Sequence, residues 1–125
     1  MFLGLRTAIY YVTDLKAAKA FYTKVLGKPP CYDEAPYVGY NVGGFELGLL
    51  AVPEEEVSST KKHGVIVYWG VEDIKKQLAR VLEIGAREHS PISEVGGGIL
   101  VATVTDPFGN PFGLIYNTHF PNTQQ

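Results

Sequence analysis

Residues 13–27 read TDLKAAKAFYTKVLG, and residues 72–85 read EDIKKQLARVLEIG. Setting Asp14 on Asp73 places Leu15 on Ile74 and Lys16 on Lys75, with Gly27 one residue out of step with Gly85. Internal repetition of this kind marks a duplicated structural unit. Each segment reads as one amphipathic helix. Leu15, Ala18, Phe21, Tyr22, Val25 and Leu26 recur at three- and four-residue spacings, as do Ile74, Leu78, Val81 and Leu82. Thr13 or Asp14 can cap the first helix and Glu72 or Asp73 the second, setting a side-chain acceptor over orphan backbone N–H groups. Gly27 and Gly85 stand where a left-handed C-terminal residue is wanted.

Outward from each helix the pattern becomes strand-like. Before the first runs Thr7–Val12 (TAIYYV), and before the second Val65–Val71 (VIVYWGV), both rich in β-branched and aromatic residues. After the first come Tyr37–Val42, a Gly43-Gly44 turn and Phe45–Val52. After the second come Ile99–Thr105, an Asp106-Pro107-Phe108-Gly109 turn and Pro111–Tyr116. Shorter strands are expected near Pro30–Asp33 and His89–Ile92. The expected organisation is therefore module one over about 3–53, a linker at 54–62, and module two over about 63–117. The polar stretch PEEEVSSTKK at the join has no periodicity, and its Glu54-Glu55-Glu56 run reads as a solvated linker rather than an acidic binding patch.

Composition narrows the function. With 125 residues, 46% hydrophobic and 19% charged, the chain has globular proportions. Its 14 Gly and 8 Pro suit a turn-rich, strand-rich fold. A net charge of −2 with no basic patch argues against nucleic acid. No apolar run reaches the roughly 18 residues of a membrane span, and Met1–Leu5 is too short for a secretory leader, so a cytoplasmic protein is expected. The single cysteine, Cys31, offers neither an intrachain disulfide nor a cysteine metal site. Only His63, His89 and His119 supply imidazoles.

The strand–Asp14-Leu15–helix unit with Phe21-Tyr22 and Leu26-Gly27, its second copy at Asp73-Ile74, and the late Asp106-Pro107-x-Gly109-Asn110 together resemble the vicinal oxygen chelate superfamily. This superfamily includes glyoxalase I, extradiol dioxygenases, fosfomycin-resistance enzymes and bleomycin-resistance proteins. The resemblance covers about Leu3 to Tyr116. It implies an α+β fold of two tandem βαβββ modules forming a curled mixed sheet around a cavity, with helices on the outer face, as a homodimer. It also implies four metal-ligand positions, two in the first strands and two in the last. Carried over singly, these are Thr7, seven residues before Asp14; Ile66, seven before Asp73; Gly113, four after Gly109; and Gly48, or Glu46 if the alignment slips by two. Ile and Gly have no ligand atom in the side chain, Thr is a poor ligand, and one Glu does not hold a divalent transition metal. His63, three residues from Ile66, should face the other way and lie roughly 10 Å off. The expectation is that the metal site is absent and that no cofactor is needed.

Strand alternation then predicts the cavity wall: Thr7, Ile9 and Tyr11; Glu46, Gly48 and Leu50; Ile66, Tyr68 and Gly70; Gly113 and Ile115, with Tyr37, Tyr40 and Phe108 as a rim. Trp69 should pack on the helix side. An apolar wall with a few phenols, a hydroxyl and one carboxylate suits a small aromatic or apolar organic ligand. The primary expectation is metal-independent binding of such a molecule, like the bleomycin-resistance branch, with no catalytic residue assigned. The alternative is a glyoxalase-like metal-dependent lyase or isomerase, or a dioxygenase-related enzyme, in which Glu46 meets a His from a partner chain. A third reading uses the fold for dimerisation alone.

Overall fold

The computed structural model describes residues 6–55 and 66–118. These residues fall into two compact units divided between Ser59 and Thr60, and each is described by itself.

In the first unit, β1 (Thr7–Val12) leads through Asp14 into α1 (Leu15–Leu26). The Asp14 carboxylate accepts the Ala17 N–H at 3.0 Å, while Gly27 closes the helix in the left-handed region at φ 73°. Then come β2 (Tyr32–Glu34), β3 (Tyr37–Val42) and β4 (Phe45–Ala51). The second strand begins two residues later than expected, because Pro29 and Pro30 lack the N–H that pairing needs. A cis Ala35–Pro36 bond lies in the turn between β2 and β3. The sheet order is β1-β4-β3-β2, with β1 parallel to β4 and the other pairs antiparallel. The parallel pair is possible because α1 serves as the crossover.

Alternation assigns the two faces of this sheet. Tyr10, Val12, Val38, Tyr40, Leu47 and Leu49 are buried with Ala18, Phe21 and Tyr22 of α1. Phe21 and Tyr22 meet edge to face at 4.9 Å, and Tyr22 also meets Tyr10 at 5.9 Å. Tyr40, expected at a cavity rim, belongs to this helix-side core. It is fully buried, and its hydroxyl donates to the Lys19 carbonyl at 3.0 Å and meets Thr23 Oγ1 at 2.9 Å. The parity of β3 puts Tyr40 on the face opposite Tyr37, so the two cannot share a wall.

The second unit repeats the plan with β5 (Tyr68–Gly70), α2 (Ile74–Ile84), β6 (Arg87–Glu94), β7 (Leu100–Thr105) and β8 (Pro111–Tyr116), in the sheet order β5-β8-β7-β6. Asp73 caps α2 through the Lys76 N–H at 3.1 Å. β5 is shorter than the expected 65–71 run. Hydrogen bonds from Gly113 N–H to the Val67 carbonyl and from Val71 N–H to the Ile115 carbonyl nevertheless extend the ladder at both ends. Ile74, Val81, Ala86, Ala102, Val104, Phe112 and Leu114 form its core. Trp69 lies on this side, stacked against Phe112 at 6.3 Å.

The turn from β7 into β8 is built around Asp106, which is 2% exposed. Its Oδ1 accepts the Phe108 N–H at 2.9 Å and the Asn110 N–H at 2.7 Å, and its Oδ2 accepts the Asn110 amide at 2.9 Å. Gly109, at φ 91°, completes the turn and donates to the Asp106 carbonyl at 3.1 Å. β6 runs longer than the expected His89–Ile92, and two register shifts in its pairing with β7 leave His89 in an irregularity between Glu88 and Ser90. The join between the units lies largely outside the described residues, as do His63 and His119.

Candidate functional site

The face of the first sheet opposite α1 gathers residues from three strands. Register sets Thr7 beside Glu46, Ile9 beside Gly48 and Tyr11 beside Leu50 across the parallel pair. Across β3 and β4 it sets Asn41 beside Glu46, Gly39 beside Gly48 and Tyr37 beside Leu50. The sequence left open whether Glu46 faces this way. It does: its Oε1 accepts the Thr7 hydroxyl at 2.7 Å and the Tyr37 hydroxyl at 2.7 Å.

Two glycines make this arrangement possible. The Tyr37 ring lies on Gly48, where an added Cβ would come within 2.0 Å of the phenol oxygen. The Glu46 carboxylate lies over Gly39, where a Cβ would meet Oε2 at 2.6 Å. Any larger residue at either position would displace one member of the Thr7–Glu46–Tyr37 group. Tyr37, expected at a rim, is thus at the centre of the face. Burial, together with its hydrogen bond to Glu46, pushes its phenol above the ordinary value of about 10. It therefore remains a proton donor at neutral pH, and the carboxylate is the acceptor. Ile9, 46% exposed, supplies apolar surface on β1 alongside.

The corresponding face of the second sheet carries a different row. Tyr68 pairs with Gly113, and its ring lies on that glycine, with a Cβ there coming within 2.5 Å of Tyr68 Cδ1. Gly113 in turn pairs with Thr103. Thr103 is only 4% exposed, and its hydroxyl meets His89 Nδ1 at 3.1 Å. The sequence places neither Thr103 nor His89 on a binding face. The β6 irregularity that turns His89 toward Thr103 has no local signature, although the period-2 pattern of β7 does place Thr103 opposite Ala102 and Val104. Ile66 precedes β5 and is exposed, Ile115 pairs with Gly70, and Phe108 sits in the Asp106 turn rather than on a strand.

Each unit thus runs βαβββ, with a glycine under a tyrosine ring in both. The profile of the Glyoxalase/Bleomycin resistance protein/Dioxygenase superfamily matches residues 4–114. The chain belongs to this superfamily. The structure resembles a glyoxalase-related enzyme from Fulvimarina pelagi (TM-score 0.79, 19% identity, covering 98% of this chain and 96% of that one). It also resembles a genomically encoded fosfomycin resistance protein from Listeria monocytogenes (TM-score 0.76, 16% identity, covering 95% and 97%). A glyoxalase/bleomycin resistance protein/dioxygenase family enzyme from Burkholderia phytofirmans is similar at TM-score 0.74 and 19% identity, covering 88% and 95%. At these identities the likeness is one of fold. No curated protein matches the sequence.

At the positions where the superfamily resemblance places metal ligands, the donors of this chain fit a cation poorly. The Thr7 hydroxyl is turned to Glu46 as a donor, and Gly48 and Gly113 lie under tyrosine rings. Ile66 has no ligand atom. Glu46 remains as the one strong ligand, with Oε1 already accepting two hydrogen bonds. Among the described residues no three His, Cys, Asp or Glu side chains converge as a metal site. No described histidine bonds Glu46. Among them, too, no helix is long and apolar enough to cross a membrane.

Proposed function

We propose that this protein binds a small, apolar or aromatic organic molecule on the helix-free face of its first module, without a metal ion. The observation behind this reading is the Thr7–Glu46–Tyr37 group. A carboxylate fixed by two hydroxyl donors, beside exposed apolar surface and over glycines, orients a ligand instead of coordinating a cation. Ile9, Tyr11, Leu50 and Tyr37 supply the apolar and aromatic contact, and Glu46 the polar fix. Tyr68, Gly113 and Ile115 in the second module offer a second aromatic surface of the same kind. The protein acts as a cytoplasmic homodimer, in keeping with the dimers common in its superfamily and with a single cysteine that cannot form an intrachain disulfide.

Native mass spectrometry of the protein as purified tests this reading. The expected spectrum shows dimers whose mass is that of the bare chains, or of the chains with an organic adduct removed by mild activation. A divalent ion held on every chain through the same activation would overturn it and favour the glyoxalase-like lyase or isomerase.

A further inference from the structure

We propose that the ligand carries a protonated amine and that Glu46 Oε2 receives it. This rests on the small-molecule reading above and names its chemical class. Two neutral hydroxyls occupy Oε1, and they fix the carboxylate without cancelling its charge. Oε2 lies over Gly39 and accepts no hydrogen bond from the described residues. No cation among the described residues pairs with Glu46. Lys19 pairs with Asp33 and Lys28 donates to the Asn41 carbonyl.

The surroundings of Oε2 favour positive charge over a neutral donor. Tyr32 pairs with Gly39 and Tyr37 stands two residues away on the same strand, their rings 6.0 Å apart at 57°. Tyr32 is 48% exposed, so its ring is free to meet a ligand. Aromatic faces beside a carboxylate add cation–π attraction to a charge-assisted hydrogen bond. Glu34 pairs with Tyr37 across β2 and β3 and adds a second carboxylate to this edge, which further repels anions. Exposed Ile9 on β1 offers the apolar body of such a ligand a contact.

The test uses three probes of one shape on the full-length protein at neutral pH: 2-phenylethylamine, 2-phenylethanol and phenylacetate, with dissociation constants from NMR titration. The amine should bind about tenfold more tightly than the alcohol, and the anion more weakly than either. Glu46→Gln keeps an acceptor for Thr7 and Tyr37 but removes the charge. It should bring the amine to within about twofold of the alcohol while alcohol binding persists. Equal binding of amine and alcohol to the wild type, or an amine preference that survives E46Q, overturns the proposal. The wild-type ranking decides the matter by itself if E46Q does not fold. Failure of all three probes to bind overturns the small-molecule reading itself.

Discussion

Gly48→Ala will remove the ligand binding proposed for the first module and lower its stability by about 2 kcal/mol, the scale of a lost hydrogen bond to a charged group. The new methyl would stand 2.0 Å from the Tyr37 phenol oxygen and 2.6 Å from the ring carbon bearing it. The ring must swing away, Glu46 loses one of its two donors, and the carboxylate is no longer fixed. Two other glycines grade the effect. Gly113→Ala displaces Tyr68, but that ring is 42% exposed and can turn into solvent, so the loss should be smaller. An added Cβ at Gly70 meets nothing within 4 Å, so Gly70→Ala should change stability by no more than about 0.5 kcal/mol. Urea unfolding of the three variants checks the order, and equal effects at Gly48 and Gly70 would refute the packing described for Tyr37.

The second large effect is on folding. Asp106→Ala removes a buried carboxylate that accepts two backbone N–H groups and the Asn110 side-chain amide. The two Asn110 donors stay buried and the Phe108 N–H part-buried without their acceptor, at a cost of about 3–5 kcal/mol. The β7–β8 hairpin that this turn closes holds Thr103 opposite Gly113, so the His89–Thr103 contact should loosen along with it. Denaturant unfolding together with amide exchange along β7 and β8 reads both. A loss below about 1 kcal/mol would show that the turn does not depend on Asp106.

The fold was legible in the sequence because its signals are local. Of the two cap candidates offered for each helix, Asp14 and Asp73 are the ones that cap. Gly27 ends the first helix in the left-handed region, Gly85 ends the second at φ 139° outside it, and the strands Thr7–Val12, Tyr37–Val42 and Pro111–Tyr116 match their period-2 runs. The site was less legible because it is made across strands. That Glu46 shares a face with Thr7 depends on parallel register between β1 and β4, and Tyr37 reaches Glu46 because Gly48 leaves room for the ring. Neither fact can be read from one strand alone. Tyr40, expected at the rim beside Tyr37, is an odd number of residues from it on the same strand and therefore packs under α1. His89 is not placed by the sequence, because the β6 irregularity that brings it to Thr103 leaves no periodic trace.

On the proposed reading, an organic ligand sits on the Glu46–Tyr37 face and needs no metal to do so. Amide NMR of chelator-treated protein titrated with 2-phenylethanol tests it most directly. The largest shifts are expected at Ile9, Tyr37, Gly39 and Gly48, unchanged when zinc or nickel is added back. Shifts that arise only after the ion is restored, or that cluster away from these residues, would contradict it.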